Sequence, residues 1–159
     1  MKQREPTSES AAPATARVYA LAILLATVIA VLHTAILFGL ADFLDFLRLR
    51  VGEAMGQRPL DILLVVVTIS GLFAAHIVET AFWAVFFWQA GQIGSFADGW
   101  YFAGVSHTTL GYGDIVLQKP WRSLGPLSAI NGLITFGCST AFLFVVLQEI
   151  WTRAVKPPL

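Results

Sequence analysis

The sequence predicts an all-α membrane protein of three transmembrane helices plus a re-entrant helix and loop, and three observations carry that prediction. The chain is 57% hydrophobic and only 13% charged, too apolar for the surface of a soluble domain of this length. It holds three apolar runs that each exceed the ~20 residues a helix needs to cross hydrocarbon. A fourth, shorter apolar stretch leads at once into a glycine-bearing segment with no helical character. Formal charge is balanced and no basic stripe is present, so a nucleic-acid partner has no support. The single cysteine, Cys138, lies inside an apolar run, which excludes an intrachain disulfide and a thiolate metal cluster.

Residues 1–16, rich in Ser, Thr, Pro, Ala and charge, read as a disordered tail. Residues 17–41 form an additional transmembrane helix, with an apolar run broken only by Thr27, His33, Thr34 and Gly39. A signal peptide is the competing reading, but the run is too long and continues directly into Asp42-Phe43-Leu44-Asp45. Residues 42–60 change character. Leu40, Phe43, Leu44 and Leu47 share one face at helical spacing while Asp42, Asp45, Arg48 and Arg50 lie elsewhere, the pattern of an amphipathic helix on the membrane surface. Two glycines and a proline between residues 52 and 59 then predict a turn.

The remaining unit, residues 61–152, divides into an outer helix at 62–90, a short helix at 98–107, a loop at 108–114 and an inner helix at 123–151, before a short tail at 153–159. Trp83, Phe86, Phe87 and Trp88 crowd the end of the outer helix, where aromatics meet the headgroups, although Trp83 can instead pack inward. The helix at 98–107 is too short to span. Non-helical backbone following it at membrane depth is tolerated only when buried in protein or lining a watery cavity, hence a re-entrant loop.

That loop reads Thr108-Thr109-Leu110-Gly111-Tyr112-Gly113-Asp114. A ring of oxygens that replaces the water of a dehydrated cation needs successive carbonyls facing a common axis. Gly111 and Gly113 permit backbone angles closed to other residues, and Thr109 adds a hydroxyl oxygen. Tyr112 offers a ring that packs outward, and Asp114 a carboxylate at the mouth that attracts cations or hydrogen-bonds the loop.

At these residues the sequence resembles the potassium-channel family, whose filter reads Thr-Val-Gly-Tyr-Gly, with Leu110 in place of valine. The resemblance extends upstream through Asp98-Gly99-Trp100-Tyr101-Phe102-Ala103-Gly104-Val105-Ser106-His107, which is similar to the family's pore helix. It extends downstream through Gly132-Leu133-Ile134-Thr135-Phe136-Gly137, where Gly132 matches the position at which family inner helices bend. The whole of 62–151 thus resembles one outer-helix, pore-loop, inner-helix unit of the two-span pore-domain type, with an extra amino-terminal helix.

The resemblance implies a selectivity filter at Thr109, Leu110, Gly111, Tyr112 and Gly113, with K+ held at Thr109, Leu110, Gly111 and Tyr112. Thr108, Asp114, His107 and Val105 would support the filter and its mouth. Two departures stand out. Val105 occupies a position where some family members place a bracing carboxylate. His107 puts a titratable ring behind the filter, either a pH-sensitive element or a neutral histidine satisfied by its neighbours.

One filter segment per chain implies a homotetramer with the pore on its symmetry axis, in a lipid bilayer, with K+ as permeant ion and no cofactor. The minimal architecture implies a multi-pass protein of the cell membrane, the inner membrane if bacterial. The resemblance orients the filter mouth outward. Charge does not decide the first helix, because Arg48, Arg50, Arg58, Arg153 and Lys156 inside balance Lys2, Arg4, Arg17, Lys119 and Arg122 outside. No span carries the arginine repeat of a voltage sensor.

Four further polar residues call for comment inside the spans. His76 and Glu79, three apart on one helix face, suit a metal or proton site, but no third ligand lies in sequence reach and a polar clasp between helices is the simpler reading. Asn131 is a candidate for lining the cavity, and the same caution applies to Ser139. The resulting expectation is a potassium-selective channel subunit. The alternatives are a weakly selective cation channel or a non-conducting membrane protein that retains the loop. An enzyme is not expected, since no nucleophile triad, phosphate-cradling loop or metal-spaced histidine pair is present.

Overall fold

The computed structural model of the protein describes residues 8–155, with side chains from residue 15 onward. All regular elements among the described residues are helical: α1 (Ser8–Met55), α2 (Gln57–Gln89), α3 (Phe96–His107), a 3-10 turn (Trp121–Ser123) and α4 (Leu124–Val155). Three stretches, Thr15–Met55, Gln57–Gln89 and Trp121–Val155, are long and apolar enough to cross a membrane. The expected class of three spans and one short helix is the class observed.

The first sixty residues differ from the expectation in two ways. Helix begins at Ser8, inside the segment read as a disordered tail, whose residues 1–7 lie outside the described residues, as do residues 156–159 of the closing tail. The separate surface helix at 42–60 does not form. Instead α1 runs without interruption to Met55, and the chain turns at Gly56 alone, whose φ is +75°. Glycine ends the helix because it adopts the left-handed conformation without a Cβ penalty, and Pro59 is tolerated because it sits in the first turn of α2.

Burial explains the difference. Two compact units partition the chain, Met1–Ile29 with Thr80–Leu133, and Ala30–Glu79 with Ile134–Leu159. In the second, Leu44 is buried together with Leu60, Leu64 and Val146, and Leu40 and Leu47 pack on the same cluster. The apolar face read as membrane-seeking is therefore a helix–helix contact. Only Phe43, 47% exposed, points away from it. The polar side of this stretch is also engaged, since Arg48 donates to both carboxylate oxygens of Glu149 on α4, at 2.8 and 2.9 Å. Glu149 pairs in addition with Arg153 one turn on.

The first unit holds the re-entrant segment. Its core joins Ala22 and Ile29 of α1, Trp83, Ala84 and Phe87 of α2, Phe102 and Ala103 of α3, and Leu124 of α4. Trp83 and Phe87 are fully buried, whereas Trp88 is half-exposed, so of the aromatics read as an interfacial belt two pack inward. Phe87 meets Phe102 edge to face at 4.9 Å, which fastens α3 to α2. Gly99 permits the close approach, because a Cβ there would lie 2.9 Å from the Ala84 carbonyl oxygen. Helix α3 starts at an N-cap, where Ser95 Oγ accepts the Asp98 amide at 3.1 Å and donates to the Asp98 carboxylate at 2.7 Å. Tyr19 on α1 donates its hydroxyl to the Pro120 carbonyl at 2.7 Å and so fixes the segment leading into α4.

Candidate functional site

Helix α3 ends at His107, and the loop that follows is laid against its last turn by four hydrogen bonds. The Thr108 amide and hydroxyl both donate to the Gly104 carbonyl, at 3.1 and 2.7 Å, and the Thr109 amide donates to Ser106 at 2.9 Å. The Gly111 amide donates to the Val105 carbonyl at 3.1 Å. Val105 thus acts on the loop through its backbone, a role invisible in its apolar side chain. Beyond His107 the backbone takes left-handed angles at every second residue, with φ of +62° at Thr109, +57° at Gly111 and +78° at Gly113. Glycine accommodates this at two of the three positions; Thr109, a β-branched residue, is the costly one. Leu110 and Tyr112, which alternate with them, are 56% and 69% exposed.

Asp114 follows the loop and accepts a 2.6 Å hydrogen bond from the Tyr101 hydroxyl on α3. That bond is the largest influence holding the Asp114 carboxyl below the usual aspartate range, assisted by backbone amides, and it raises the Tyr101 phenol. The loop's far end is therefore tied back to α3 through Tyr101, four residues before Val105, the position at which some members of the resembled family carry a bracing carboxylate. Sequence reading left Tyr101 unremarked as a partner. The signal available was its place one helical turn before Val105 on the same face.

His107, the last residue of α3, is buried. Its backbone lies directly against Gly132, where an added Cβ would overlap the His107 carbonyl oxygen and sit 2.8 Å from the carbonyl carbon and 3.1 Å from the ring. Gly132, singled out as a bend, here has a packing reason to be glycine. Asn131 requires correction. Instead of facing a cavity, its side chain is buried, accepting the Trp83 indole N–H at 2.9 Å and donating to the Ala26 carbonyl at 3.2 Å. The amide is held by α2 and α1, because a buried indole N–H requires an acceptor.

His76 and Glu79 meet as their spacing implies, with His76 Nδ1 3.0 Å from Glu79 Oε2. What sequence reading missed is His33 of α1, whose Nδ1 lies 2.6 Å from the other oxygen of the same carboxylate. An ionisable residue in the middle of an apolar run was the available signal. Its partner, 46 positions away, was not legible. These residues all belong to the second compact unit, and the loop at 108–114 to the first.

Comparison with protein-family profiles matches residues 62–149 to Ion_trans_2, described as an ion channel. No curated protein and no solved structure matches the chain. The matched stretch is more than half of the chain and contains α2, α3, the loop and most of α4, with the three membrane-crossing helices making a multi-pass protein. The chain belongs to this ion-channel family.

Proposed function

We propose that the chain is one subunit of a homotetrameric, potassium-selective channel that conducts K+ passively across the cell membrane without a cofactor. The observation that carries the reading is the backbone of residues 109–113. Left-handed φ at alternate positions is the kind of backbone that can turn successive carbonyls to one side, and the Gly111 amide bond to Val105 anchors it, which supports the carbonyls of Thr109, Leu110, Gly111 and Tyr112 as ligands for a dehydrated cation. Four copies of these ligands, one set per chain around a common axis, would complete the coordination. Helix α3 aims its carboxyl end at the start of this segment, and its dipole favours a cation there.

Assembly has its own support. Leu110 and Tyr112 are apolar or aromatic yet exposed in the single chain, and a cavity of about 350 Å³ lined by Phe102, Val105, Gly111, Ile115, Gly125 and Ala129 lies alongside. In a closed ring of four, these surfaces are covered by the neighbouring copies, and the side chains behind the filter hold its diameter. Asp114, kept ionised by Tyr101, places negative charge at the mouth. Gly132, at the position where family inner helices bend, is proposed as the hinge, and its close contact with the His107 backbone would couple a bend there to the filter.

The test is the reversal potential of purified protein in planar bilayers under a potassium–sodium gradient, beside Gly111→Ala. Currents that reverse near the potassium equilibrium potential and disappear in the variant are expected. Reversal near zero would replace the reading with a weakly selective pore, and silent bilayers from folded, tetrameric protein would replace it with a non-conducting role.

A further inference from the structure

The polar cluster buried in the second unit is distant in sequence from the filter and is left unused by the conduction reading. Three helices contribute to it: His33 from α1, His76 and Glu79 from α2, and Ser139 from α4. His33 and Glu79 are almost wholly buried, and the His76 side chain is 12% exposed. The two imidazoles lie nearly parallel, with ring centroids 5.4 Å apart, and His76 stacks on Phe136 at 3.8 Å, which fixes its plane.

The nitrogens are sorted. Both Nδ1 atoms face the carboxylate, at 2.6 and 3.0 Å from its two oxygens. Both Nε2 atoms face the Ser139 hydroxyl oxygen, at 3.2 Å from His33 and 2.9 Å from His76. One ligand atom from each of the three acid–base residues falls within 4.8 Å of the other two. We propose that His33, His76 and Glu79 form a binding site for one divalent transition-metal ion of the zinc class.

Two imidazole nitrogens and one carboxylate are the donor set that such an ion prefers, whereas magnesium and calcium require oxygen cages. With metal–ligand bonds of ~2.0–2.2 Å, the edges of a tetrahedral site are about 3.3 Å, so binding draws the His76 nitrogen back from the carboxylate by about 0.3 Å and the His33 nitrogen by about 0.7 Å. The ion takes the place of the hydrogens shared between Glu79 and the two Nδ1 atoms. Each ring then carries its hydrogen on Nε2, and both N–H groups donate to the two lone pairs of Ser139 Oγ. A metal-bound histidine ordinarily needs such an acceptor on its far nitrogen, and here one hydroxyl serves both rings. Three protein ligands leave a fourth position for water. His76 and Ser139 border a pocket of about 210 Å³ together with Leu72, Phe136 and Thr140, which provides the way in. The bound ion would clamp α1 to α2, and through Ser139 to α4.

The test uses the full chain in detergent, freed of any affinity tag and stripped with chelator, carrying Cys138→Ser to remove the exposed thiol as a rival ligand. Isothermal titration with Zn2+ is expected to give one ion per chain, and Co2+ to develop the intense visible bands of a four-coordinate site. His33→Gln and His76→Gln are each expected to abolish both signals. Ser139→Ala, which keeps every ligand and the packing, is expected to weaken affinity by ~10–100-fold. Absence of heat and of visible bands in the folded parent protein overturns the proposal. So does a stoichiometric site that survives His33→Gln, or one indifferent to Ser139→Ala.

Discussion

Replacing Gly132 by alanine is the most direct probe of how the inner helix meets the re-entrant segment. In an open helix position the change stabilises by ~0.5–1 kcal/mol, because glycine has more conformational freedom to lose on folding. At Gly132 the new methyl overlaps the carbonyl oxygen of His107 and crowds its carbonyl carbon at 2.8 Å. A side chain in that place would rotate aside; a backbone carbonyl can only move with its peptide. Overpacking of this kind costs ~1–3 kcal/mol. Subtracting the helical gain leaves a net loss of up to ~2.5 kcal/mol. Gly39→Ala supplies the comparison, since nothing lies within 4 Å of a Cβ there, and it should gain the full ~0.5–1 kcal/mol. Because the helical gain is common to both variants, the expected gap between them is the overpacking cost itself, ~1–3 kcal/mol. Equilibrium unfolding in mixed micelles, followed by circular dichroism, measures it. Displacing the His107 carbonyl also displaces Thr108 and Thr109, so potassium flux into liposomes should fall with Gly132→Ala and persist with Gly39→Ala. A Gly132→Ala protein as stable as Gly39→Ala, with undiminished flux, would refute the close contact.

Three further outcomes follow from individual hydrogen bonds. Tyr101→Phe removes the main influence lowering the Asp114 carboxyl, which should return toward the ordinary aspartate value in a carboxyl-carbon NMR titration; an unmoved value would assign the lowering elsewhere. Because that carboxyl titrates lower in the folded protein, its contribution to stability is present above the ordinary value near 3.8 and is lost as pH falls through the folded value, and Tyr101→Phe should reduce that acid sensitivity. Asn131→Leu keeps the branching of the side chain but leaves the Trp83 indole N–H and the Ala26 carbonyl without this partner, and should destabilise by ~1–3 kcal/mol, with a changed Trp fluorescence spectrum; a neutral result would mean other groups satisfy both. Ser95→Ala removes the N-cap of α3 and should cost ~0.5–2 kcal/mol in the same unfolding assay, whereas Ser95→Asp should retain most of the stability.

Local chemistry made much of this protein legible in the sequence. Apolar runs longer than the hydrocarbon is thick define the three spans without reference to any contact. The short stretch before Thr108 and the alternation of Gly111 and Gly113 within the loop are likewise one-dimensional signals, because glycine marks backbone angles that other residues resist. Partnership is a different matter. The face of Leu40, Leu44 and Leu47 has the same pattern whether it rests on headgroups or on another helix, and only the proximity of Leu60, Leu64 and Val146 decided for the helix, extending α1 to Met55. Asn131 offers the same amide to a water-filled cavity or to a tryptophan, and the position of Trp83, 48 residues away, determined which. Periodicity could join His76 to Glu79, one helical turn apart, but not His33, whose place beside the same carboxylate depends on how α1 packs against α2. Sequence fixes what lies within a helical turn; side chains that meet across helices are chosen by packing, which no spacing rule encodes.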